Sequence, residues 1–187
     1  MLHFRDAAGC LLPDGLPLPS SEPLSHGHRR SMYALRHWSV RHSRALERTY
    51  AVVERTLIAL APSFAKLGFE RVEPAMAAVE RSVKTLLFDC NMCGQCILSD
   101  TGMSCPMNCP KSLRNGPCGG VRPNGHCEVK PAMKCVWVAA WEGSQRMAEG
   151  GKILDLQPPV DHRFWGRSSW LRVAREKGAP EGPPAHG

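Results

Sequence analysis

Apolar residues recur at helical spacing in two early stretches of the chain. Between residues 31 and 60, Leu35, Trp38, Leu46, Tyr50, Val53, Leu57 and Leu60 fall three, four or a multiple of a turn apart. That spacing predicts an amphipathic helix, closed by Pro62. Its other face is basic, with Arg36, Arg41, Arg44, Arg48 and Arg55 set against Glu47 and Glu54. A second helix is expected to start at Pro74, a good first-turn residue, and to run to about Phe88. Ala75, Val79, Val83, Leu86 and Leu87 are its predicted inward face, and residues 62–73 join the two helices as a hairpin. A third helix is expected over 132–148, carrying Cys135, Val136, Val138, Ala139 and Met147, with Trp137 and Trp141 packed in the core.

Between the second and third helices the periodicity disappears and cysteine takes over. Cys90, Cys93, Cys96, Cys105, Cys109, Cys118, Cys127 and Cys135 account for eight of the nine cysteines; Cys10 stands alone, far upstream. They are spaced by turn-forming residues: Cys90-Asn-Met-Cys-Gly-Gln-Cys96, Cys105-Pro-Met-Asn-Cys109-Pro110 and Asn115-Gly-Pro-Cys-Gly-Gly120. Glycine and proline at this density favour successive tight turns over helix or strand. With few large apolar side chains to bury, the segment needs another means of fixing its shape. Thiolates converging on metal supply one.

The type of metal is read from spacing. Cys90-x2-Cys93-x2-Cys96 is the loop that bacterial ferredoxins use for three irons of a cubane cluster, and the fourth ligand there is a cysteine followed by proline. Both Cys105 and Cys109 precede proline, so either closes the set, and the remaining cysteines, Cys118, Cys127 and Cys135 among them, are the expected ligands of a second cluster. One or two [4Fe-4S] clusters are thus expected. Zinc is the alternative, since four-cysteine sites also hold zinc, and His126 beside Cys127 is a candidate ligand for a site of three cysteines and one histidine; CxxC pairs are nevertheless scarce here. Gly94, Gly116, Gly119 and Gly120 let backbone N–H groups approach sulfur, and Lys111, Arg114, Arg122 and Lys130 offset thiolate charge.

Charge and composition narrow the remaining choices. A net charge of +7 permits an anionic partner. Only Trp38 and Tyr50 lie among the helical arginines, too few aromatics for a single-strand nucleic-acid binder, so nucleic acid is not the expected partner. No run of eighteen apolar residues exists, and the first residues lack the pattern of a secretory signal, so no membrane contact and a reducing cytoplasm are expected. Clustered cysteines in that compartment read as metal ligands before disulfides. Neither a G-x-G-x-x-G fingerprint nor the alternating pattern of a TIM barrel, which needs about 250 residues, is present.

Around Arg114-Asn-Gly-Pro-Cys-Gly-Gly120 the sequence resembles the C-terminal domain family associated with methylenetetrahydrofolate reductase, including the small iron–sulfur subunit of the two-subunit enzymes. The similarity runs from about Phe88 to Ser168-Ser-Trp-Leu171, following Pro158-Pro-Val-Asp161. The resemblance implies a flavin-containing TIM-barrel reductase as partner, with FMN or FAD on that subunit and not on this chain. It also implies an accessory, electron-transferring role with no catalytic residue here, and an electron-donor protein as a further partner. Zinc-binding structural or nucleic-acid-binding modules without redox activity are the rival functions. The expected fold is mainly α: an extension over 1–30, a helical hairpin over 31–89, a cysteine-rich iron–sulfur domain over 90–178 and a disordered tail over 179–187. Trp165 and Trp170, set among arginines, mark residues 163–170 as an expected docking segment.

Overall fold

The computed structural model describes residues 29–178. The chain divides into Met1–Arg30 and Ser31–Gly187, and the account below concerns the second unit. Cys10, residues 1–28 of the expected extension and the expected tail lie outside the described residues, while Arg29 and Arg30 already belong to the first helix. Mainly helical as expected, the described residues form five α-helices and no strand: α1 Arg29–Arg41, α2 Ser43–Leu67, α3 Phe69–Phe88, α4 Val136–Ser144 and α5 Ser169–Gly178.

The boundaries differ from those read in the sequence. The first predicted helix is two, broken at His42, whose ring stacks on Trp38 and whose Nδ1 bonds the Trp38 carbonyl at 2.9 Å. Pro62 does not close α2. The helix continues to Leu67 because α5 packs along it, burying Leu57 and Ala61 against Ala174. Tertiary packing there outweighs the hydrogen bond that proline removes. No twelve-residue linker follows; Gly68 alone, at φ +89°, turns α2 into α3, and Pro74 lies inside α3. The third helix is shorter than expected, starting only at Val136 because Cys135 is drawn into a turn by its N–H bond to the Gly125 carbonyl at 2.9 Å.

The buried faces also differ. Val79, Val83 and Leu86, expected inside, are exposed, as are Trp38, Leu60 and Trp141. What α3 buries is Glu80, Lys84 and Phe88. On α1 and α2, Ser39 and Ser43 are fully buried, and their hydroxyls donate to the Leu87 and Gly143 carbonyls, each at 2.8 Å. Small side chains with satisfied hydroxyls let those backbones come together. Gly102 and Gly143 do the same between the loop after Leu98 and α4: a Cβ on either would lie within about 2.2 Å of the other segment's backbone.

Ser168 and Ser169 start α5 and anchor it to α3. The Glu80 carboxylate accepts from both hydroxyls and from the Trp170 N–H at 3.2 Å, at the positive end of the helix. Ser168 Oγ in turn accepts from the Leu171 N–H at 3.1 Å, a capping bond. Trp170 is therefore not a free docking residue. It packs against Leu57, Ala61 and Ala174 with the Lys84 ammonium 5.2 Å from its ring centre. Trp170→Ala is expected to cost about 3 kcal/mol in a urea-unfolding experiment. Unchanged stability would return Trp170 to the surface role. Trp165, by contrast, is exposed and stacks on His162.

A thiol-lined cavity between α3 and the cysteine loop

Where α3 ends, Asp89 takes the left-handed conformation at φ 53° and its N–H bonds the Thr85 carbonyl, turning the chain into Cys90. Met92 at φ 50° and Gly94 at φ +71° then wind the loop so that Cys90, Cys93 and Cys96 lie on one side. Left-handed backbone at a methionine is unfavourable by about 1 kcal/mol or more, so surrounding contacts must hold it. They do: the Gly166 N–H bonds the Met92 carbonyl at 2.7 Å, and the Asp161 N–H bonds Gln95 Oε1 at 2.9 Å. A Cβ on Gly94 would lie 2.2 Å from the Phe164 carbonyl, so only glycine admits this clasp. The turn carrying Cys105 is tied to the same place by Asn108 Nδ2, which donates to the Phe88 carbonyl at 2.8 Å. Asn91 Nδ2 donates to the Met107 carbonyl at 3.0 Å.

The result is a small cavity lined by Cys90, Cys93, Cys96 and Cys105. Of the two cysteine–proline pairs, the structure brings Cys105 to this cavity; Cys109 lies elsewhere. Met92, Gly94, Ile97, Leu98 and Pro106 supply an apolar lining. Burial pushes the Cys90 thiol up to about 11, against the Met92 N–H that bonds its sulfur at 3.3 Å. Cys105 is pushed up further, by burial first and by the neighbouring Cys90 and Cys96 second. None of the eight described cysteines is joined to another in a disulfide.

Two cations share the cavity wall. Lys84 bonds Glu80 at 2.6 Å and Ser169 Oγ at 2.8 Å. Burial works to lower its pKa, but Cys96 and Glu80 together outweigh burial and raise it, so the ammonium stays charged. Arg114 is buried, with Nε and Nη1 lacking any partner and Nη2 only 3.4 Å from the Gln95 carbonyl. Four thiols lining one cavity beside unspent N–H donors are the donor set that an anionic iron–sulfur cubane takes. Among the described residues, no group of three or more His, Cys, Asp or Glu side chains is gathered closely enough to hold a single metal ion.

The other four cysteines occupy the following turns. Cys109 and Cys127 touch one apolar cluster with Met133 and Val136. Cys135, at the start of α4, belongs to the adjoining cluster of Trp137 and Ala140. Isolated antiparallel bridges pair Val121 with Cys127 and His126 with Lys134. Cys118 lies against Lys111, whose ammonium pairs with Glu128. His126 commits Nδ1 to the Pro131 carbonyl at 2.7 Å, a turn-stabilising role. Arg122 is exposed, so of the cations expected to offset thiolate charge, only Arg114 lines the first cavity. Lys84 was missed because it interrupts a predicted apolar stripe; its legible signal was a glutamate four residues earlier on the same face.

Asn115 explains part of the Asn-Gly-Pro-Cys-Gly-Gly motif. Its side chain donates to the Gln157 carbonyl at 2.8 Å and accepts from the Gln157 N–H at 2.7 Å, as a backbone pair would. The motif thereby holds the C-terminal arm over the cysteine turns. The described residues form a mainly helical protein with a cavity lined by four thiols. A family model described as "Methylene-tetrahydrofolate reductase C terminal" matches residues 69–163, from α3 through the whole cysteine segment to the clasp. The chain belongs to that family. Neither the curated proteins nor the solved structures compared with it gave a match.

Proposed function

We propose that this chain is the iron–sulfur subunit of a two-subunit methylenetetrahydrofolate reductase, holding one [4Fe-4S] cluster on Cys90, Cys93, Cys96 and Cys105. The observation that carries the reading is one cavity lined by all four of those thiols, with Lys84 and Arg114 in its wall. Such a cluster supplies one-electron transfer. The chain's own residues do the rest. Met92, Ile97, Leu98 and Pro106 keep water from the sulfurs, Lys84 and Arg114 balance negative charge, and Gly94 lets the 157–168 arm close over the loop.

The partner in this reading is a flavin-containing reductase with its own barrel, and family membership supports that association. The described helices include none long and apolar enough to cross a membrane, and the proposed place of work is the cytoplasm. Iron, zinc and acid-labile sulfide should be measured per chain after anaerobic purification, with EPR spectra before and after dithionite. About four irons and four sulfides with a reducible signal are expected, and a flavoprotein should co-purify. About eight would place a second cluster on Cys109, Cys118, Cys127 and Cys135. Zinc without iron would overturn the redox reading and leave a metal-stabilised structural subunit.

A further inference from the structure

We infer that Arg114 sets the reduction potential of the centre on Cys90, Cys93, Cys96 and Cys105, as a fixed positive charge and an N–H donor toward its sulfurs. The inference rests on the cluster reading above and names the residue that tunes it. A guanidinium cannot shed its charge inside a protein, and a buried, unpaired charge is costly unless something answers it. Arg114 is 7% exposed, has no carboxylate partner among the described residues, and keeps two donor nitrogens without an acceptor. It lines the same cavity as the four thiols.

Lys84, the other cation there, differs in kind. Glu80 and Ser169 take up two of its three donors, and the Glu80 carboxylate already matches its charge, although it also faces Cys96. Arg114 has no such match; its free donors need an anionic acceptor, and thiolate-bound iron and sulfide provide one. Its position is also fixed from both sides. Trp137 Nε1 donates to the Leu113 carbonyl at 3.1 Å, and Asn115 makes its reciprocal pair with Gln157. Together with Met107, Arg114 lines both the thiol cavity and the broad depression bounded by Gln157, His162 and Trp165. It therefore stands in the wall between the centre and the surface.

Adding one electron to the centre increases its negative charge, and a nearby cation with N–H donors stabilises that state more than the oxidised one. Arg114→Gln should thus lower the midpoint potential. The test is an EPR-monitored titration of the anaerobically purified full chain, with dithionite supplying the electron through dye mediators. Alongside it, iron and sulfide are counted in the wild type, Arg114→Gln and Arg114→Lys. The expected result is at least a tenfold loss of reduced centre at fixed ambient potential in Arg114→Gln, a shift of about 59 mV for one electron. Arg114→Lys should regain at least half of that shift.

An Arg114→Gln variant with full iron and an unshifted potential overturns the inference while leaving the cluster reading intact. If Arg114→Gln fails to load, an Arg114→Lys variant that loads supports the charge requirement. Failure of both to load, with the wild type loaded, makes the residue structural and overturns it. Wild-type protein without iron overturns the cluster reading itself, and this inference with it.

Discussion

Glu80→Gln is expected to lower stability by about 3–5 kcal/mol, read as a shift in urea-unfolding midpoint at matched iron content. Glu80 is 2% exposed and Lys84 3%, so their ion pair is removed from water. Such a pair is weak evidence for net stability, because desolvating both charges offsets most of their attraction. Breaking it is another matter, since the surviving charge is stranded. Here the loss extends beyond Lys84. The Ser168 and Ser169 hydroxyls and the Trp170 N–H all donate to the Glu80 carboxylate. Glutamine offers one carbonyl oxygen where the carboxylate offers two, so at least one donor is left unanswered at the start of α5. The control is the pair of changes Glu80→Leu with Lys84→Met, which removes both charges and should recover part of the loss. A Glu80→Gln protein as stable as the wild type would mean that the ion pair does not anchor α5.

Replacing the fourth thiol separates the two cysteine–proline pairs. Cys105→Ser is expected to remove the iron of the first centre, about four per chain, and to abolish its EPR signal. Cys109→Ser is expected to leave both in place. The difference rests on position alone: Cys105 lines the cavity with Cys90, Cys93 and Cys96, whereas Cys109 packs beside Cys127 and Met133. The opposite pattern would assign the closing ligand to Cys109 and overturn the grouping. Both variants are conservative in volume, so folding should survive in each, and far-ultraviolet circular dichroism checks that point.

These two experiments touch the parts of the molecule that differed most in legibility. The thiol loop was readable because CxxCxxC is a local pattern, and three thiols within seven residues need little help from tertiary structure to share one side. The choice between Cys105 and Cys109 was not readable, since it depends on Asn91 and Asn108 pinning the next turn to the loop and the end of α3. Helix existence was likewise legible from period, but the buried face of α3 was not. Apolar periodicity selected Val79, Val83 and Leu86, whereas the protein buries Glu80 and Lys84 because α5 brings two serines and a helix N-terminus to meet them. Within residues 69–88 the four-residue spacing of Glu80 and Lys84 signals the ion pair but not its burial. Pro62 misled for a similar reason: its local rule holds for an isolated helix and yields to the packing of α5, more than a hundred residues later.

The same anchoring has a bearing on how the protein matures. Ser169 lines the thiol cavity beside Glu80 and Lys84, and Phe164 seals against Gly94. All four thiols of that cavity emerge from the ribosome some sixty residues before Ser169 does, at roughly 5–20 residues per second. For those seconds of synthesis the thiols exist and the lid does not. A cofactor delivered then meets an open cradle; one delivered later has to wait for the arm to lift from α3. On the proposed reading, the C-terminal arm acts as a time lock, leaving the site open while the chain is being made and closed once the arm has docked.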